Sequence, residues 1–315
     1  MSAKRNDRVH KSFWTETREV LTTSLRFFRV HPISIVPLIS CWCVYAATIL
    51  YMEYFFDWEM YSGTINVLIC FGCFFLFSMV YGIACLILLE MVKQIETGEK
   101  ISLLRASRDA IFRDFWKACP ILLIWAVIWF VLSLLSALLS KSKDKNETEE
   151  ISAHSAVGTL LGSDETFSLT GAFFSALSKG VRMVTFLILP AIAWEDMGPI
   201  KALKKGLMVL KNTKGSFLVA YGTTGIFTML VMVVPALIYG ISEKMELTLP
   251  EPFWYVVLIY VAFASSLSFL VEQLYVAQLY LWHMSWEKEN AKNGTNKSLE
   301  SIRKPSFFDG INDME

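Results

Sequence analysis

The 315-residue chain has few charges. Charged residues make up only 18% of it, and their signs cancel to a net charge of zero at pH 7. A zero balance provides no global positive field to draw in nucleic acid. Catalytic signatures are also missing: there is no HExxH, GxSxG, Walker or GxGxxG pattern. The four histidines, His10, His31, His154 and His283, lack metal-ligand spacing. Six cysteines do not form a disulfide framework, because most lie inside apolar runs. Cys70 and Cys73 have the spacing of a redox or metal pair but no companion cluster, so they read as small packing residues. No cleavable leader is evident, since the first apolar run, 33–56, exceeds a signal-peptide core in length. We therefore expect no enzyme, no cofactor, no metal and no nucleic-acid partner.

What the chain has in abundance is apolar length. It is 54% hydrophobic, and its mean hydropathy is +0.46. Such values belong to multi-pass membrane proteins. Six segments, 33–56, 65–92, 120–139, 169–194, 217–241 and 253–282, are each long enough for a hydrocarbon core of about 30 Å at about 1.5 Å per residue. In lipid every backbone polar group must be satisfied internally, so these segments are predicted helices. Trp14, Trp58, Trp116, Trp194, Trp254, Trp282 and Trp286 fall near segment ends, as interfacial belts require.

Lysine and arginine set the expected orientation. The N-terminal segment and the segments 93–117, 201–214 and 287–315 hold 23 of them, and the opposite loops hold 4. Both termini are therefore expected to be cytoplasmic. Residues 1–12 read as a flexible basic start, 13–287 as the membrane domain and 288–315 as a polar cytoplasmic tail. The predicted fold is all-α, a polytopic membrane helix bundle of six transmembrane helices with three cytoplasmic amphipathic helices at 13–31, 101–116 and 200–211. Each amphipathic helix precedes a hairpin of spans, which suggests an internal repeat. At an offset of 99, Glu96/Glu195, Ile101/Ile200, Leu104/Leu203, Arg105/Lys204 and Ile111/Leu210 correspond.

In the third amphipathic helix, Ile200, Leu203, Leu207 and Leu210 form a stripe at the helical period. Lys201 and Lys205 point away from it, and Lys204 and Lys211 flank it. Two arrangements fit this pattern: a helix lying on anionic lipid, or a connector packed on the bundle. Glu195 and Asp196 precede the helix start, where the macrodipole favours anions, and they are expected to cap the helix.

Two cations lie where lipid should be. Lys179 and Arg182 interrupt the fourth segment, and without them only 12 apolar residues remain, too few to cross. Each costs about 2.5–3.5 kcal/mol at mid-bilayer on insertion scales unless compensated. Glu272, in the sixth segment at similar depth, is the predicted partner of Arg182, with Gln273 adding polarity beside it. Such a site serves either as a polar cavity for transport or as a structural bridge that sets helix register.

The segments Ser24–Leu38 (SLRFFRVHPISIVPL) and Leu189–Gly206 (LPAIAWEDMGPIKALKKG) carry a resemblance. The chain resembles an uncharacterised family of bacterial six-span integral membrane proteins. More loosely it is similar to YciC-type proteins and to the membrane domains of glycerophosphodiester phosphodiesterases. The resemblance implies a bacterial inner membrane and brings no catalytic residues. Two functions stay open: a transporter or channel-like protein using the intramembrane site, or a non-enzymatic scaffold that organises lipid or partners.

Overall fold

The structure is a computed structural model, and it describes residues 22, 24, 26–57, 60–141, 169–245, 249–293 and 299. Its elements are a 3₁₀ turn Pro32–Ile35, then α1 (Val36–Tyr54), α2 (Gly63–Glu96) and α3 (Leu103–Asp109). A π-helical segment Ala110–Asp114 joins α3 to α4 (Phe115–Lys141). There follow α5 (Leu169–Ala193), α6 (Pro199–Asn212), α7 (Lys214–Lys244) and α8 (Glu251–Asn293). Six helices are long and apolar enough to cross a membrane, at Pro32–Met52, Gly63–Glu96, Leu103–Ser136, Phe173–Ala193, Lys214–Ser242 and Phe253–Lys292. These match the six predicted segments, and the chain is a multi-pass membrane protein by the character of its helices. The ends differ in places: the third span begins as early as Leu103, and α8 runs on to Asn293, into the predicted polar tail.

Of the three predicted amphipathic helices, the third stands as a separate element and the second does not. Most of 13–31 lies outside the described residues. Its end is visible: 26–30 are helical, and the helix stops at His31 before Pro32. The steric clash of a proline with its predecessor explains the stop. The second predicted helix, 101–116, is the leading part of the third span. The π segment carries α3 into α4 without a break, where a separate surface helix was expected. In contrast, α6 and α7 are separated at Thr213.

The two stretches related by the offset of 99 share part of a burial pattern. At the same offset of 99, Ala106 and Lys205 are both buried, as are Ala110 and Val209, while Leu104 and Leu203 are both exposed. The π segment ends at Asp114, and its counterpart is Thr213, where α6 breaks from α7. Both residues are buried.

The centre of the bundle is α5, which packs against α2, α4, α6 and α8. Its half toward α6 is closed, with Met183, Phe186, Leu187, Leu189, Ala191 and Ile192 all buried. On α1 and α7, by contrast, apolar side chains face outward, among them Ile49, Leu50, Met229, Leu230 and Leu237. A helix apolar on its outer face belongs against lipid.

Two glycines set the closest helix approaches. A Cβ at Gly82 would meet Leu122 Cδ1 at 2.3 Å, and one at Gly206 would meet Ile188 Cγ1 at 2.7 Å and Ile188 Cα at 3.1 Å. A leucine tip can swing aside, whereas a Cα cannot. Gly206 is thus what lets α6 lie flat on α5. We expect Gly206→Ala to lower the stability of the detergent-solubilised protein by about 1–3 kcal/mol, the usual cost of overpacking. Gly72→Ala, with nothing within 4 Å of the new atom, should be neutral or stabilising by up to about 1 kcal/mol through helix propensity. Thermal unfolding of the two variants side by side checks the contrast.

Candidate functional site

The expected intramembrane pair is formed. Arg182 Nε donates to Glu272 Oε2 at 2.8 Å, and its Nη2 donates to Glu272 Oε1 at 3.1 Å. The bidentate fork ties α5 to α8 with a defined geometry. The face of the guanidinium lies over the Phe269 ring, with Cζ 3.6 Å from the centroid. Phe269 in turn packs on Tyr81, which touches Phe186. The charge therefore sits on an aromatic cluster from α2, α5 and α8.

Lys179 lies one turn along α5 from Arg182. Its Nζ is 3.6 Å from Glu272 Oε1, and it donates to the Tyr221 carbonyl of α7 at 2.8 Å. Gly225 permits this approach: its Cβ would stand 3.4 Å from Nζ. On the α7–α8 seam nearby, Thr228 Oγ1 donates to Ser268 Oγ at 2.8 Å. The Glu272 side chain is 1% exposed, against 14% for Lys179 and 13% for Arg182. Gln273 is also fully buried, but no hydrogen bond joins it to this group, and among the described residues neither of its amide atoms has a partner.

A second polar assembly escaped the sequence reading. It gathers on the turn that ends α5. The last carbonyls of a helix have no partner within it, and the macrodipole makes that end negative. Here the Ala193 carbonyl accepts from Lys93 Nζ at 3.0 Å and from Arg113 Nη2 at 3.3 Å. Arg113 is held in turn by Glu90 at 2.7 Å and Asp114 at 2.8 Å. Trp194 Nε1 donates to the Leu89 carbonyl at 3.0 Å. Arg113 and Asp114 read in sequence as surface charges of an amphipathic helix. Nothing local signals that Asp114 is buried or that Arg113 reaches the end of α5.

Glu195 and Asp196 do not cap α6, contrary to expectation. Gly198 is its N-cap residue, and no side chain closes the cap. Glu195 instead accepts from the Tyr280 hydroxyl of α8 and faces Lys205 at 3.9 Å. Asp196, at φ 54°, receives Lys117 of α4. The Lys117 hydrogen bond and charge hold the Asp196 carboxyl below its ordinary range. Its contribution is therefore present above the unfolded-state value and is lost as pH falls through the lowered one.

The lysines of α6 divide. Lys201, Lys204 and Lys211 are exposed. Lys205, expected with them at the lipid surface, is buried and bonded to Glu287 of α8. Ala202, Gly206 and Val209 share its inward face. Ile200, Leu203 and Leu207 consequently look outward, with Met208 beside them. The stripe and the lysines occupy the predicted faces of the helix, but the bundle takes the side that carries Lys205.

The arrangement around Glu272 yields an ordering of variants. Glu272→Leu strands two cations, and we expect it to cost about 3–5 kcal/mol. Arg182→Leu leaves Lys179 beside Glu272 to compensate it, so its cost should be smaller. Unfolding of both variants in mixed detergent measures the order, and equal costs would contradict a shared carboxylate.

Among proteins already grouped by sequence, a family of unknown function (DUF6159) matches residues 151–287. That stretch takes in α5, α6, α7 and most of α8. No curated protein and no solved structure matches the chain. Nothing in these matches supports the looser likeness to YciC-type proteins or to phosphodiesterase membrane domains. Over the stretch that holds Lys179, Arg182 and Glu272, the chain is similar to an uncharacterised family.

Proposed function

We infer that the protein is a non-enzymatic membrane scaffold that gathers anionic phospholipid at the cytoplasmic face through α6. The observation that carries this reading is the outward leucine stripe. Ile200 is 71% exposed and Leu207 47%, on a helix whose small-residue face is already spent on α5. In water that stripe would be a liability. At the inner interface it inserts among acyl chains, while Lys201, Lys204 and Lys211 reach the headgroups. The lysine and arginine asymmetry puts this end of the bundle in the cytoplasm, and the resemblance suggests a bacterial inner membrane.

In this reading the Arg182–Glu272 pair is a register device. Its carboxylate is sealed and its fork is complete. The ties at the end of α5 do the same work for α6: Lys205, Glu195 and Glu287 hold the helix at a fixed height. Catalysis has no place in the scheme, and no cofactor or metal enters it.

Each surface lysine near an anionic leaflet contributes about 1 kcal/mol. Replacing Lys201, Lys204 and Lys211 together by Gln should remove roughly 3 kcal/mol of preference for phosphatidylglycerol over phosphatidylcholine. Lipid co-purification, or quenching by brominated lipids, reads that preference. Lys205→Gln should leave the preference intact and lower stability instead. A triple variant with unchanged preference would overturn the proposal.

A further inference from the structure

The charge count around Glu272 does not close. Two cations face one carboxylate, and among the described residues no second Asp or Glu lies within ion-pair distance of Lys179 or Arg182. With each group in its ordinary charge state the cluster carries +1, at a depth where a lone charge is costly. The single carboxylate is shared: Arg182 engages both its oxygens, and Lys179 Nζ stands 3.6 Å from Oε1. Arg182 has five N–H donors and commits two of them to that fork. Both cations retain some exposure, whereas Glu272 has almost none. Among the described residues beyond Gly225's chain neighbours and its own helix backbone, the Lys179 ammonium is what a Gly225 Cβ would meet within 4 Å, at 3.4 Å.

We propose that Lys179 and Arg182, beside Gly225, form a binding site for a small monovalent anion between α5 and α7. The class follows from the residues. One negative charge brings the group to neutrality. An ammonium and a guanidinium with free donors suit a carboxylate-sized oxyanion, and the absent side chain at position 225 limits the ligand to a small one. This role goes beyond the lipid-binding reading and does not depend on it, since the α6 lysines are not involved.

The test uses the full chain in nanodiscs of zwitterionic lipid. Acetate replaces bulky gluconate at constant sodium and ionic strength, and the unfolding midpoint is followed. The wild type should show a saturable rise with acetate. Lys179→Met should weaken that response tenfold or more, and Lys179→Arg should keep it. Gly225→Leu, which leaves every charge in place and fills the space, should abolish it. A wild type with no saturable response overturns the proposal without reference to any variant. A response unchanged in Lys179→Met or Gly225→Leu overturns it as well.

Discussion

A helix that takes two cations into lipid must bring their compensation with it, and this requirement organises the bundle. Without Lys179 and Arg182 the apolar part of α5 is too short to cross; with them it needs an acid at the same depth. Glu272 supplies one from α8, fixing the axial register of the two helices. Mutual attraction in a low-dielectric interior offsets desolvation only when the geometry is good. The bidentate fork over Phe269 has that geometry.

The other end of α5 meets the same kind of constraint. Its last carbonyl, that of Ala193, is taken up by cations from α2 and the π segment. The turn that follows sends Trp194 to α2, Glu195 to α8 and Asp196 to α4. One short segment thus sets the position of α6 relative to most of the bundle. With its height fixed by polar ties, α6 can turn apolar side chains outward without drifting.

Much of this was legible in the sequence. Span count follows from apolar length, because a run of about 20 apolar residues crosses lipid as a helix that satisfies its own backbone. The Arg182–Glu272 pair was legible because Glu272 is the acid at matching depth. The facing of α6 was not. An apolar stripe tells which side avoids water, but in a membrane both the bundle and the lipid are apolar. The decision fell to shape: Gly206 and Ala202 allow a close approach to α5 that Leu203 and Leu207 would block. The inward turn of Lys205 then followed, because two glutamates wait beneath it. The continuity of α3 into α4 was hidden for a related reason. A π turn shifts the helical phase, so one straight period does not describe both sides of it.

The account rests on α5 crossing the bilayer, and labelling tests that most directly. In a variant without native cysteines, single cysteines at Ser155 and Lys201 bracket α5. A membrane-impermeant maleimide applied to intact cells should label Ser155→Cys and spare Lys201→Cys, and inverted vesicles should give the opposite result. Labelling of both positions from the same side would contradict the crossing, and with it the reason for pairing Arg182 with Glu272.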